Sequence, residues 1–114
     1  MNMFQLQEKF AYELGSTMEV EWDVVKVHYE NMTVEGENHQ MFVAIYFSRG
    51  VREQFDLTLE ALDILEQLHN TQPTGQDEKW TWFDFEMSSA GKYDFFYKYG
   101  MPPQIAAVYG KRNS

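Results

Sequence analysis

Met3, Leu6, Phe10 and Leu14 recur at helical spacing, which predicts an amphipathic helix over residues 3–15. Gly15-Ser16 supplies its end, because glycine relaxes the left-handed cap. From residue 19 the period shortens to two. Val20, Trp22 and Val24 alternate with Glu19, Glu21 and Asp23, and a strand is expected over 19–30. Within it the parity changes, and Val25, Val27 and Tyr29 become the apolar set. Either a bulge sits near Val24-Val25 or the far half is covered on both faces. Glu35-Gly36-Glu37-Asn38 reads as a turn. Residues 41–48 are apolar on both parities, as in a central strand packed on each face. Ser48-Arg49-Gly50 is a turn or kink, and residues 51–55 are a candidate further short strand.

The clearest helix covers 57–70, with Leu57, Ala61, Ile64, Leu65 and Leu68 as its stripe and Asp56 or Thr58 as its cap. Residues 70–79, with Pro73 and Gly75, form a polar loop. A β-hairpin follows over 80–88 and 92–99, turning at Ser88-Ser89-Ala90-Gly91. Thr81, Phe83, Phe85 and Met87 share one face of its first strand, and Tyr93, Phe95, Tyr97 and Tyr99 one face of its second. Met101-Pro102-Pro103 stops the sheet. The expected fold is a single α+β domain over residues 1–103, with an antiparallel sheet of about four strands, helices packed on it and element order α-β-β-α-β-β. Residues 104–114 are expected as a short helix or a frayed basic tail.

At 114 residues, 44% hydrophobic and 17% aromatic, the chain can bury a core without staples. There is no cysteine, hence no disulfide, thiolate zinc site or thiol nucleophile. With no basic n-region and no sustained apolar stretch at the N-terminus, no signal peptide is visible, and a cytoplasmic location is expected. Eighteen acids against nine bases give a net charge of −9. Such a chain repels nucleic acid and anionic membranes and attracts basic partners. The charge is uneven: residues 1–40 hold eight acids and two bases, residues 53–94 ten and two, and the last twenty no acid at all.

Motifs for chemistry are sparse. His28, His39 and His69 are not spaced for a shared metal site, and they read as core or surface histidines. No G-x-S-x-G elbow, Walker loop or G-x-G-x-x-G occurs. Carboxylates are too many for any one pair to stand out as a glycosidase dyad. No enzyme activity, cofactor or metal is expected.

Surface patterns say more. Opposite its core residues, the first hairpin strand carries Trp80, Trp82, Asp84 and Glu86. Tryptophan anchors interfaces, and acids pair with lysine or arginine on a partner. The competing reading places the tryptophans in the core beneath a covering helix. The second helix carries Asp56, Glu60, Asp63 and Gln67 on one side, with Glu66 beside them and no lysine or arginine from Glu53 to Asn70. That face is either an ordinary solvated one or an acidic docking surface. Glu19, Glu21 and Asp23 form a third row, and Glu35-Gly36-Glu37 a fourth group.

In sequence order, Glu21-Trp22, Val24-Val25-Lys26-Val27, the aromatic segment 42–47, the leucine-rich helix, Trp80-Thr81 and Ser88-Ser89-Ala90-Gly91-Lys92-Tyr93 resemble the YezG-like family of bacterial immunity proteins. The likeness covers roughly residues 3–103; the family often continues into an acidic helical C-terminus, where this chain has Met101-Pro102-Pro103 and a short basic tail. The resemblance implies an antitoxin that neutralises a cognate secreted nuclease delivered between competing bacteria. A nuclease needs a basic groove for its substrate, so an acidic inhibitor suits it. The expected contacts are Trp82, Asp84, Glu86, Glu60 and Asp63. The expected partner is a basic nuclease domain, not nucleic acid or membrane, and the aromatics leave a homodimer open. The alternative is an acidic adaptor or chaperone-like module with a non-toxin partner. A third reading, a small hydrolase using a carboxylate pair, requires turnover by the isolated protein.

Overall fold

A computed structural model describes residues 1–71 and 79–112, with the side chains of 109–112 outside the description. The expected polar loop therefore lies largely outside the described residues, as do the last two residues. The elements run α1 (Met3–Thr17), β1 (Val24–Val34), β2 (Glu37–Ser48), β3 (Val51–Phe55), α2 (Leu59–Asn70), β4 (Trp82–Ser88), β5 (Tyr93–Lys98) and α3 (Pro103–Arg112). This is an α+β fold with one antiparallel sheet of five strands in the order β3-β2-β1-β4-β5. The extra strand over the expected four is the short candidate at 51–55. β1, not β2, is central.

Local chemistry sets the ends of these elements. Asn2 and Gln5 form a reciprocal capping box at the start of α1, with bonds of 2.9 and 3.0 Å. Gly15 does not stop α1, which continues to Thr17. Thr58, not Asp56, caps α2: its hydroxyl accepts from the Ala61 amide at 3.1 Å and donates to Glu13 Oε1 at 3.0 Å, tying the two helices together. β1 and β2 join through Glu35-Gly36, both at positive φ, and β2 and β3 through Arg49-Gly50, also both positive. Two-residue turns of this hand match the twist of the strands they join.

β1 begins at Val24, so the parity change needs no bulge. Val20 and Trp22 precede the strand, and Glu19, Glu21 and Asp23 are not a strand row. Asp23 ties loops instead: its carboxylate accepts from the Arg49 amide and its carbonyl from the Ser89 amide, each at 3.0 Å.

Val25, Val27 and Tyr29 of β1, Ala44 of β2, and Phe83, Phe85 and Met87 of β4 face one way. Leu6, Phe10 and Leu14 of α1 and Ala61, Ile64, Leu65 and Leu68 of α2 cover them. Phe10 sets its ring edge-on to Phe85 at 5.1 Å and tilts on Phe95 at 6.0 Å. α3 lies on the other face, because its N-terminus meets Glu30, whose side chain points opposite to Tyr29. Helices thus flank the sheet unequally: two cover the front, and one short helix meets part of the back. Among the described residues, no helix is long and apolar enough to cross a membrane.

Candidate functional site

The back of the sheet displays the alternate residues of each strand. β4 offers Trp82, Asp84, Glu86 and Ser88, and β1 offers Lys26, His28 and Glu30. β2 adds Val43 and Ile45, and β5 adds Asp94, Phe96 and Lys98. Register places His28 between Val43 and Asp84, and Lys26 between Ile45 and Glu86. Lys26, His28, Val43, Ile45, Asp84 and Glu86 line a shallow groove of about 360 Å³. Val43 and Phe96 stand exposed beside it.

A charged relay crosses this face. Glu30 is completely buried, and its carboxylate accepts from the backbone amides of Gln104 at 3.0 Å and Ile105 at 2.8 Å. Both amides belong to the first turn of α3, which lacks intrahelical acceptors and carries the positive end of the helix dipole. The same carboxylate lies 2.5 Å from His28 Nε2, while His28 Nδ1 lies 2.7 Å from Asp84 Oδ1. An imidazole held between two carboxylates meets both bonds only when each ring nitrogen carries a proton. Burial alone would push the His28 pKa down, but the bonds and charges of Glu30 and Asp84 outweigh it, and the net shift is upward. Among the described residues, no group of three His, Cys, Asp or Glu side chains is placed to hold a metal ion.

The expected contact residues fall into two places. Trp82, Asp84 and Glu86 do share the back of β4, but their charges are engaged: Asp84 with His28, and Glu86 with Lys26 at 3.2 Å. Glu60 and Asp63 lie on the exposed side of α2, across the sheet from that row. Glu60 meets Lys9 at 3.6 Å, and Asp63 accepts from Gln67 at 2.8 Å. The structure does not bring the two sets together.

Trp80 departs from its grouping with Trp82. β4 starts at Trp82, so alternation does not extend back to residue 80. Trp80 is buried against Tyr29, Phe83, Tyr97 and His69, as the competing core reading held. Burial and the nearby Lys79 lower the His69 pKa.

His28 and Glu30 escaped the sequence reading. Their one signal was an i, i+2 pair of polar groups, after Lys26, on the strand face opposite Val25, Val27 and Tyr29. Asp84 comes 56 residues later, and only the β1–β4 register sets it beside His28.

No protein-family model and no curated protein matches this chain.

Proposed function

We propose that the protein is an immunity protein, of the YezG-like kind its motifs resemble, that binds and neutralises a basic nuclease toxin inside the cell. It acts by occupying its partner rather than by turnover. The observation that supports this reading is electrostatic. A net charge of −9 sits on a small α+β scaffold, and among the described residues its acids, apart from Glu30, are surface groups. A nuclease concentrates cations where its phosphate substrate binds, so a compact polyanion is drawn to the same surface at steered rates. Trp82, Asp84 and Glu86 form one proposed footprint, and Glu60 and Asp63 another. They lie on opposite sides of the sheet, so one flat interface engages one set or the other.

The test is affinity capture by the tagged full chain from its native strain, followed by assay of what is captured. Support is a basic protein that cleaves DNA or RNA alone and stops when one equivalent of this protein is added. Capture of a protein without nuclease activity, or cleavage that continues in excess, overturns the immunity reading and leaves the adaptor. Alanine at each of the five positions then locates the footprint. Loss of affinity under about 0.5 kcal/mol at all five removes both.

A further inference from the structure

A second concave surface lies at the sheet end where β1 begins. Two adjoining hollows of about 310 and 490 Å³ share Val20 and Tyr46. The first runs between the end of α1 and the turn from β3 into α2, over a floor of Leu14, Met18, Phe55 and Leu57. The second continues past Val51 and Arg49. Tyr46, Val51, Glu53 and Phe55 point to the front of the sheet, beyond the buried cover that α1 and α2 give β1 and β4. Val20 and Val51 are consequently 49% and 55% exposed.

Glu19, Glu21, Glu53 and Asp56 rim this groove, and Arg49 is the one base among its lining residues. None of the four carboxylates has an ion-pair or side-chain hydrogen-bond partner among the described residues. The contrast with the sheet back is physical. There Asp84 and Glu86 face His28 and Lys26 across one strand spacing, so each has a cation beside it. Around the groove four unpaired charges face an apolar floor, an arrangement that favours a cation carried on an apolar stem.

We infer that this groove docks one segment of a basic partner protein, with lysine or arginine on Glu19, Glu21, Glu53 and Asp56 and an apolar side chain on Tyr46 and Phe55. The inference rests on the binding function proposed above and names its surface. β3 is an edge strand paired with β2 alone, so a docked extended segment also meets open backbone groups. A second copy of this chain is the poorer occupant, because it brings the same net charge of −9 to an acidic rim.

The experiment is an NMR titration of the ¹⁵N-labelled full chain with a short capped peptide alternating arginine and leucine. The same peptide with glutamate for arginine serves as control, and a Glu21→Lys, Glu53→Lys double variant is titrated in parallel. The expected result is saturable shifts at amides of residues 18–21, 46 and 51–57. Binding falls at least tenfold in the variant and vanishes with the acidic peptide. Shifts centred on 82–86 and 94–98, no saturable shift, equal binding by the variant, or shifts that follow self-association each overturn the inference. Its failure is separable from failure of the function. A captured nuclease still blocked by the double variant sinks the groove and leaves immunity standing. Peptide docking in the groove without any captured nuclease does the reverse.

Discussion

Glu30→Gln tests the relay most directly. The carboxylate accepts from two backbone amides of α3 and from His28, and it is fully buried. The two amides donate to different oxygens, Gln104 to Oε2 and Ile105 to Oε1, so a glutamine oxygen in the Oε1 place keeps only the Ile105 bond. Glutamine cannot keep the charge, and its NH₂ group, in the Oε2 place, faces the Gln104 N–H as a second donor and bonds His28 Nε2 only when that nitrogen has lost its proton. Hydrogen bonds to charged groups are worth about 1.5–3 kcal/mol each, against about 0.5–1.5 for neutral ones. Losing the Gln104 bond and the charge at the other two therefore costs about 2–4 kcal/mol, including the favourable meeting of an anion with a helix N-terminus. At about 4 °C per kcal/mol for a chain of this size, Tm falls by about 8–16 °C. Urea unfolding gives the free energy, and hydrogen exchange at Gln104 and Ile105 reports whether α3 releases. A loss under about 1 kcal/mol with unchanged exchange at Ile105 would refute the claim that Glu30 anchors the helix.

His28 makes stability fall on the alkaline side. Its folded pKa is raised above 6.5, so its contribution is complete below pH 6.5 and is lost as pH rises through the folded value. Urea midpoints should decline as pH rises above 6.5, and His28→Gln should flatten that decline. His69, whose pKa is lowered by burial, acts oppositely: its contribution holds above pH 6.5 and is lost on acidification, so a His69→Gln chain should show a weaker acid loss. Phe10→Ala removes a ring buried against Phe85 and Phe95 and should cost about 3–5 kcal/mol by chemical denaturation. Thr58→Ala removes the α2 cap and its bond to Glu13 and should cost about 1–2 kcal/mol, with early amide exchange at Ala61. Tyr29 is buried and Tyr97 half-buried, and desolvation pushes both phenols up to about 12, so ultraviolet titration should leave two tyrosines un-ionised at pH 11.

Periodicity along the chain determined both long helices, the Glu35-Gly36 and Arg49-Gly50 turns, the aromatic hairpin and the α+β class, because each rests on contacts a few residues apart. Where β1 begins was not legible. Val20 and Trp22 continue an alternation that belongs to a loop, and only pairing with β2 and β4 decides where hydrogen bonding starts. The same limit governs Trp80, whose core position follows from the first residue of β4. Composition and charge determined that the chain is a polyanion with a full aromatic core. Tertiary structure decided which acids are neutralised and which stand open. Asp84 reaches His28, and Glu30 reaches the start of α3, across 56 and 75 residues of chain. Glu19, Glu21, Glu53 and Asp56 gather at one groove only because β3 returns beside the segment that leads into β1. Charge type is written residue by residue, but charge pairing is a property of strand register and layer order, and those are settled by the burial of the core.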